Sequence, residues 1–160
     1  MLDCMYGNRA EYSAENCSLG RALEIFGERW TMLVLREALL GTRRFDDFQQ
    51  LLGCARNVLA ARLAKLVERG ILARVAYREA GQRERFEYKL TEKGRDLAAP
   101  VIALTQWGDR WESDPAGAPA VFRHHKCGLE AQAVVVCAKH GALGARDLAV
   151  EPGPGAKRIA

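Results

Sequence analysis

Residues 44–70 read RFDDFQQLLGCARNVLAARLAKLVERG and contain two short helical patterns in close succession. The apolar residues of the first pattern are Phe45, Phe48, Leu51 and Leu52. In the second pattern, Leu59, Leu63 and Leu66 recur at the i, i+4 and i+7 positions of one helical face. Gly53 follows the first pattern, where glycine commonly ends a helix. Two short helices joined by a turn of three or four residues are typical of a helix-turn-helix motif.

Two further helical patterns precede this motif. The apolar residues of the earlier one are Leu19, Ala22, Leu23 and Phe26. Residues 31–40 read TMLVLREALL, and their apolar side chains surround most of the helix circumference, which predicts a central buried helix. We predict that Thr31 is the N-cap of this helix and that Gly41 ends it.

After the motif the apolar period changes from helical to two. Residues 72–77 read LARVAY and residues 86–90 read FEYKL, with the polar segment EAGQRER at 79–85 between them. This alternation predicts a β-hairpin with one apolar and one charged face. Thr91 is predicted to cap a last long helix, in which Pro100 is expected to introduce a bend. The apolar stripe of that helix consists of Leu97, Val101, Leu104 and Trp111.

The order of these elements predicts the fold class. Helices, a helix-turn-helix, a hairpin and a terminal helix indicate a mainly α winged helix-turn-helix with a small β-hairpin, followed by a small C-terminal β-type appendage. The predicted segments are an N-terminal arm (1–16), the winged domain for DNA binding and dimerisation (17–111), a linker (112–120), the appendage (121–150) and a flexible tail (151–160).

The charge distribution is compatible with a nucleic-acid partner and equally with a solvated helix face. The whole chain carries a formal charge of +4, whereas residues 53–78 alone hold six basic side chains and one acidic one. On a predicted recognition helix over about 55–69, the face opposite Leu59 holds Asn57, Ala61, Ala64, Lys65 and Glu68, with Arg56 and Arg62 at its flanks. A major groove accepts a helix whose outward side chains are small or hydrogen-bond to bases.

The polar residues of this surface have distinct expected roles. Asn57 can read adenine, and Arg56 and Arg62 can bond guanine or phosphate. In the wing, predicted over about 71–90, Arg83 and Arg85 are placed to reach a phosphate or a minor groove. For Arg44, beside Arg43, a phosphate clamp and an ordinary surface position both stay open.

Several collinear motifs resemble one family of regulators. They are CSLGRALEIFGERWT from Cys17, RFDDF from Arg44, NVLAARL from Asn57 and YKLTEKG from Tyr88. These stretches resemble the HxlR-type branch of winged helix-turn-helix regulators, which is related to the MarR group. The resemblance covers about residues 17–111. It implies a dimeric bacterial transcription factor whose fourth helix enters the major groove. The DNA-facing residues that it implies are Arg44, Arg56, Asn57, Ala61, Arg62 and the wing arginines.

The cysteines add one sensing hypothesis. Cys17 is at the position of a cysteine that senses electrophiles or oxidants in some members of the family that the chain resembles. A thiolate at the start of a helix is favoured by the helix dipole, and Arg21 is one turn further on. A sensor and an idle cysteine both stay open, and Cys4 and Cys54 are equally open to either role.

A second cysteine pattern lies in the appendage. His124 and Cys127 form one spaced pair, and Cys137 and His140 form another, each followed by glycine. The two pairs are compatible with a small zinc ribbon, which needs four N or S ligands, or with a metal-free hairpin. We predict no resident cofactor and leave zinc open.

Motifs that are missing from the sequence argue against an enzyme and against an exported protein. Every histidine is in the appendage, and no P-loop or GxGxxG motif occurs, so the chain is predicted not to be an enzyme. The N-terminus has no apolar signal region, which predicts a cytoplasmic protein without membrane contact. The expected partners are duplex DNA with an inverted-repeat operator, a second copy of the chain and a small-molecule effector. The alternative is a protein-interaction module on a winged-helix scaffold without DNA binding.

Overall fold

The computed structural model describes residues 3–4, 8–78, 81 and 83–159. Its helices are α1 (Ser18–Phe26), α2 (Arg29–Leu39), α3 (Phe45–Leu52), α4 (Arg56–Glu68), α5 (Glu92–Arg95) and α6 (Ala98–Trp111). Its strands are β1 (Asp3–Cys4), β2 (Leu72–Tyr77), β3 (Arg85–Leu90), β4 (Val135–Cys137), β5 (Gly141–Leu143) and β6 (Ala149–Val150). No helix among the described residues is long and apolar enough to cross a membrane.

The chain divides into two compact units, residues 22–105 and residues 1–21 together with 106–160. The first unit has an apolar core that packs α2, α3 and α4 against the start of the hairpin. Its buried apolar residues are Val34, Leu35, Ala38, Phe48, Cys54, Leu59, Leu63, Leu66, Ile71, Leu72 and Val101. Full burial of one Leu or Phe side chain contributes about 1.5–3 kcal/mol. The predicted central helix and the apolar seam of α4 therefore hold the helix-turn-helix together.

The turn between α3 and α4 is short and depends on glycine. Gly53 ends α3 with φ of 62°, a left-handed conformation that favours glycine, and its N–H donates to the Gln49 carbonyl. α4 begins at Arg56, with Ala55 as its N-cap. The predicted helix-turn-helix is confirmed.

The start of α2 differs from the prediction. α2 begins at Arg29, after an extended Glu28, and Thr31 is its third residue. The Thr31 N–H donates to the Glu28 carbonyl at 3.0 Å, and its side chain is fully buried. The prediction of Thr31 as N-cap is wrong because the helix begins two residues earlier, with Glu28 at the capping position.

The hairpin follows α4 as predicted. β2 and β3 pair antiparallel, from Leu72 opposite Leu90 to Tyr77 opposite Arg85. Of the predicted tip, residues 79, 80 and 82 lie outside the described residues. A helix-turn-helix followed by this hairpin confirms the winged helix-turn-helix fold.

The predicted long terminal helix is two helices. Thr91 is the cap that the sequence predicted, since its Oγ1 accepts from the Gly94 N–H at 3.1 Å. α5 ends at Arg95 and α6 begins at Ala98, so the break lies before Pro100. Pro100 is the third residue of α6, where a helix has no internal partner for the missing N–H. Proline therefore fits the first turn.

The described residues of the second unit form several short backbone pairings. β4 and β5 form an antiparallel hairpin, and β1 and β6 pair in parallel. The Ser13 N–H donates to the Lys157 carbonyl at 2.9 Å, and the Ile159 N–H donates to the Glu11 carbonyl at 2.7 Å. Lys157 and Ile159, in the segment expected to be a flexible tail, thus carry backbone hydrogen bonds to the N-terminal segment. Composition could not reveal this pairing, because its two partners are far apart in sequence.

Candidate nucleic-acid interface

The outward face of α4 is exposed and consists largely of short side chains. Its exposed residues are Arg56, Asn57, Ala60, Ala61, Ala64 and Glu68. The alanines leave room along the helix axis, while Arg56 and Asn57 concentrate hydrogen-bonding groups in the first turn. This is the pattern that a major groove accepts. The described geometry therefore retains the surface that the helical wheel predicted, with two exceptions.

The exceptions are Arg62 and Lys65. Arg62 makes an ion pair with Glu28, with Nη1 to Oε1 at 2.8 Å, and its side chain is only 22% exposed. Lys65 Nζ donates to the Glu24 carbonyl at 2.6 Å and lies 3.7 Å from Glu28. Both side chains therefore have partners within the unit, on α1 and at the start of α2, and lie beside the outward face rather than on it.

Arg56 lies against α3. Its Nη1 donates to Gln49 Oε1 at 3.0 Å and lies 3.5 Å from Asp46 Oδ1. Its guanidinium stands 4.6 Å from the centroid of the Phe45 ring. The side chain stays 68% exposed, so these contacts orient it without removing it from solvent. Ion pairs this exposed contribute little to stability.

The two faces of the hairpin are mixed. The register places Arg74 opposite Tyr88 and Ala76 opposite Phe86. Residues directly opposite in an antiparallel pair share a face, so Phe86 and Tyr88 of β3 lie on the same face as Arg74 of β2. The expectation of one apolar and one charged face is wrong. Alternation within each strand is a local property, whereas the loop sets the register that combines the strands.

The segment before α3 fastens the hairpin to the helix-turn-helix. Arg44 forms an isolated antiparallel bridge with Glu87, and the Tyr88 N–H donates to the Arg43 carbonyl at 2.8 Å. The Arg44 guanidinium lies 5.0 Å from the Tyr77 ring centroid. Arg44 is thus part of the joint between wing and helices.

The Glu87 carboxylate at this joint is held ionised. A hydrogen bond from Lys89 lowers the pKa of Glu87, and the charges of Lys89, Arg43 and Arg44 lower it further. Arg83 and Arg85, nearer the hairpin tip, are both exposed. The wing therefore carries exposed arginines near its tip, while its strand β3 is held by backbone contacts to Arg43 and Arg44, just before α3.

Cys17 lies at the start of α1 within the second unit. Its Sγ accepts from the Gly20 N–H at 3.3 Å, so the sulfur caps the helix. It is exposed and lines a cavity of about 310 Å³ between residues 12–18 and 153–156. The Arg21 guanidinium bonds the side chains of Asn16 and Ser18. Cys54 is buried, and the side chain of Cys4 lies outside the described part.

The two histidine–cysteine pairs are each in contact. His124 Nδ1 lies 3.1 Å from Cys127 Sγ, and Cys137 Sγ lies 3.5 Å from His140 Nδ1. Backbone N–H groups of Lys139 and His140 lower the pKa of the Cys137 thiol. Within the described residues no three His, Cys, Asp or Glu side chains come together to hold a metal ion. The two pairs do not form a common site.

Comparison with known proteins assigns the family. The model of the HxlR-like helix-turn-helix family matches residues 25–115, which include the whole helix-turn-helix and hairpin. The chain belongs to the HxlR-like helix-turn-helix family. Residues 116–160 lie beyond the matched range.

Individual relatives agree with this assignment. An HTH-type transcriptional regulator of Mycobacterium tuberculosis is 49% identical over 144 residues, which are 89% of this chain and 90% of the relative. The crystal structure of PA1607 shares 35% identity with a TM-score of 0.76, covering 87% of this chain and 96% of its own. The redox regulator HypR in its oxidized form shares 26% identity with a TM-score of 0.56, covering 61% of this chain and all of its own.

These findings place the HxlR-like chain among transcriptional regulators and not among enzymes. DNA binding is implied by the family. The match to HypR covers 61% of the chain and the match to PA1607 covers 87%, so HypR lacks a counterpart to part of this chain that PA1607 has.

Proposed function

We propose that this regulator binds an inverted-repeat operator in duplex DNA, with α4 in the major groove and the β2–β3 hairpin on the phosphate backbone. The observation that carries the proposal is the exposed face of α4, where Arg56 and Asn57 stand beside a row of alanines. A protein-interaction module has no evident need for this combination of alanines with an exposed arginine and asparagine. The protein acts in the cytoplasm under this proposal.

The roles divide between bases and phosphates. Arg56 and Asn57 read bases from the first turn of α4, and Ala61 lets the groove floor approach the helix. Arg44, Arg83 and Arg85 contact phosphates. Arg62 and Lys65 each have a partner near the start of α2, so their main contribution is to fix the angle of α4, and a phosphate contact requires them to leave Glu28.

Substitutions separate these roles. Arg56→Ala or Asn57→Ala is expected to cost about 1–3 kcal/mol of operator affinity each, with base preference relaxed at a defined half-site position. Arg83→Ala or Arg85→Ala is expected to weaken operator and scrambled duplex alike and to lower the salt slope by about one per lost contact in each subunit. Competition titrations at several salt concentrations measure both quantities. Unchanged affinity in all four folded variants would contradict the proposal.

We also propose that the regulator is a homodimer. On α6, Leu104, Trp107 and Trp111 recur at helical spacing and are more than half exposed, although Leu97 and Val101 of the predicted stripe pack in the core. An exposed row of large apolar side chains on one helix favours a second copy as its partner.

Light scattering tests the dimer. Wild-type protein is expected at twice the chain mass at micromolar concentration, and Trp107→Ala with Trp111→Ala is expected to shift it toward the monomer. Ala99→Ser, at an exposed site near the start of α6, serves as the control. A monomeric wild type that binds an inverted repeat tightly would exclude the dimer.

A redox or electrophile response is proposed for Cys17. The support is its exposed sulfur at a helix start, beside a cavity, together with the resemblance to the redox regulator HypR. Mild oxidant should weaken operator binding reversibly, and Cys17→Ser should remove that response while leaving reduced-state affinity nearly unchanged. Cys54→Ser, at a buried thiol, is the matched control. Equal oxidant sensitivity in Cys17→Ser would exclude the role.

A further inference from the structure

A groove between α3, the first turn of α4 and the β2–β3 hairpin is lined by arginines that are far apart in the sequence. The groove has a volume of about 490 Å³, and its lining includes Arg44, Arg56, Arg74 and Arg85. These side chains come from the start of α3, the start of α4 and both strands, all within residues 22–105. Asp46 and Asp47 line the same groove. Four positive and two negative side chains leave a local excess of positive charge.

Three of these guanidinium groups lie over aromatic rings, at distances typical of cation–π contacts. Arg74 lies 3.6 Å from the centroid of Phe86, and Arg44 and Arg56 lie over Tyr77 and Phe45 at 5.0 and 4.6 Å. Stacking holds a guanidinium by its flat face and leaves its in-plane N–H groups directed sideways. These N–H groups match the tetrahedral oxygens of a phosphate.

The contact between Arg74 and the Phe86 ring exists because of the hairpin register. Ala76 is opposite Phe86 and Arg74 is opposite Tyr88, so Arg74 and the two aromatic rings share one face of the hairpin. In the hairpin that alternation predicted, with one apolar and one charged face, Arg74 would lie apart from these aromatic rings. The arginine is therefore a candidate binding residue that the sequence pattern concealed.

We propose that this arginine–aromatic groove binds a phosphate group, with Arg74 as its central ligand, and that a phosphate of the DNA backbone is its usual occupant. The choice of occupant rests on the proposed function: Arg56 belongs to the base-reading helix and Arg85 to the wing, so the groove lies between two surfaces that contact one duplex. A backbone phosphate that passes from the recognition helix to the wing must cross it.

Asp46 acts as the internal competitor of that phosphate. It lies 3.5 Å from Arg56, and both side chains are largely exposed. A phosphate that enters the groove takes the place of the Asp46 carboxylate beside the arginines and is repelled by it. Asp46 therefore weakens binding to phosphates that are not accompanied by base contacts, which makes it a residue that sets the ratio of specific to non-specific binding.

The test compares Arg74→Ala and Arg74→Gln with Arg69→Ala, which removes an exposed arginine at the far end of α4. The Arg74 variants are expected to lower the salt slope for duplex binding by about one per subunit, and Arg69→Ala is expected to leave it unchanged. Asp46→Asn is expected to raise affinity for scrambled duplex by up to about fivefold, the range of an exposed ion pair. Weaker binding by Asp46→Asn would overturn the competitor role.

A second readout separates the two sources of phosphate. The Arg74 Nε–H signal is followed by NMR during titration with duplex and, separately, with inorganic phosphate. A shift with duplex and none with millimolar phosphate supports the backbone phosphate; a shift with phosphate that also displaces duplex supports a small phosphate ester as the occupant.

Failure of the groove and failure of the proposed function are distinguishable. If neither titrant moves the Arg74 signal and the Arg74 variants keep the wild-type salt slope, while Asn57→Ala, outside the groove lining, still loses operator affinity, the groove is not a phosphate site and the DNA-binding proposal stands. If the wild type binds no duplex, the DNA-binding proposal fails, and the phosphate titration alone decides the groove.

Discussion

Gly94→Ala is expected to lower the free energy of unfolding by about 1–3 kcal/mol or more. A Cβ added at Gly94 would lie 2.2 Å from the Ile71 carbonyl oxygen and 2.9 Å from Leu90 Cδ2. The first of these is backbone, so the clash cannot be relieved by rotation of a side chain. Thr91 lies at the same junction and donates its hydroxyl to the Gly70 carbonyl at 2.7 Å. The close approach of α5 to the start of the hairpin therefore requires glycine.

Gly108→Ala is the matched control for this substitution. Gly108 lies within α6, and a Cβ there would meet no atom within 4 Å. The same change should stabilise the protein by about 0.5–1 kcal/mol, because alanine has the higher helix propensity. Chemical denaturation of both variants measures the difference. Equal stability changes in the two variants would contradict the close packing at Gly94.

The helices were predictable because their signals are local. Leu59, Leu63 and Leu66 repeat at helical spacing and are the fully buried seam of α4. Gly53 ends α3 where the sequence predicted a helix end. A helix start without a capping side chain was less predictable. Thr31 is a residue type that commonly caps helices, but it is the third residue of α2, and the N-cap Glu28 makes no side-chain cap bond.

The site was less predictable than the fold because it depends on distant partners. The helical wheel placed Arg62 and Lys65 at the edge of the DNA face, and only the packing of α4 against Glu28 reveals their ion pairs. Arg74 gained its aromatic platform from the hairpin register, which alternation within one strand does not specify. Charge and periodicity identify a basic surface, but tertiary contacts decide which arginines remain available.

Ala61→Glu is expected to have the largest effect on DNA binding. Ala61 is exposed in the middle of the outward face of α4, and glutamate is nearly as good a helix former as alanine, so the fold should persist. The longer side chain would occupy the space that a groove floor needs and would place a negative charge beside phosphates. A like-charge contact of this kind costs several kcal/mol, so operator affinity should fall by roughly 100-fold or more.

Ala99→Glu is the matched control for the charge change. Ala99 is an exposed alanine at the second position of α6, where a carboxylate is favourable to the helix dipole. This variant alters the net charge of the chain by the same amount as Ala61→Glu. It should therefore reproduce the general electrostatic penalty while leaving the recognition helix intact.

The outward face of α4 is the surface proposed to read the operator. The most direct test is a competition titration of wild type, Ala61→Glu and Ala99→Glu against operator and scrambled duplex at one fixed salt concentration. We expect Ala61→Glu to lose nearly all preference for the operator and Ala99→Glu to keep the wild-type preference. Retention of operator preference by folded Ala61→Glu would contradict this proposal and would assign DNA recognition to another surface.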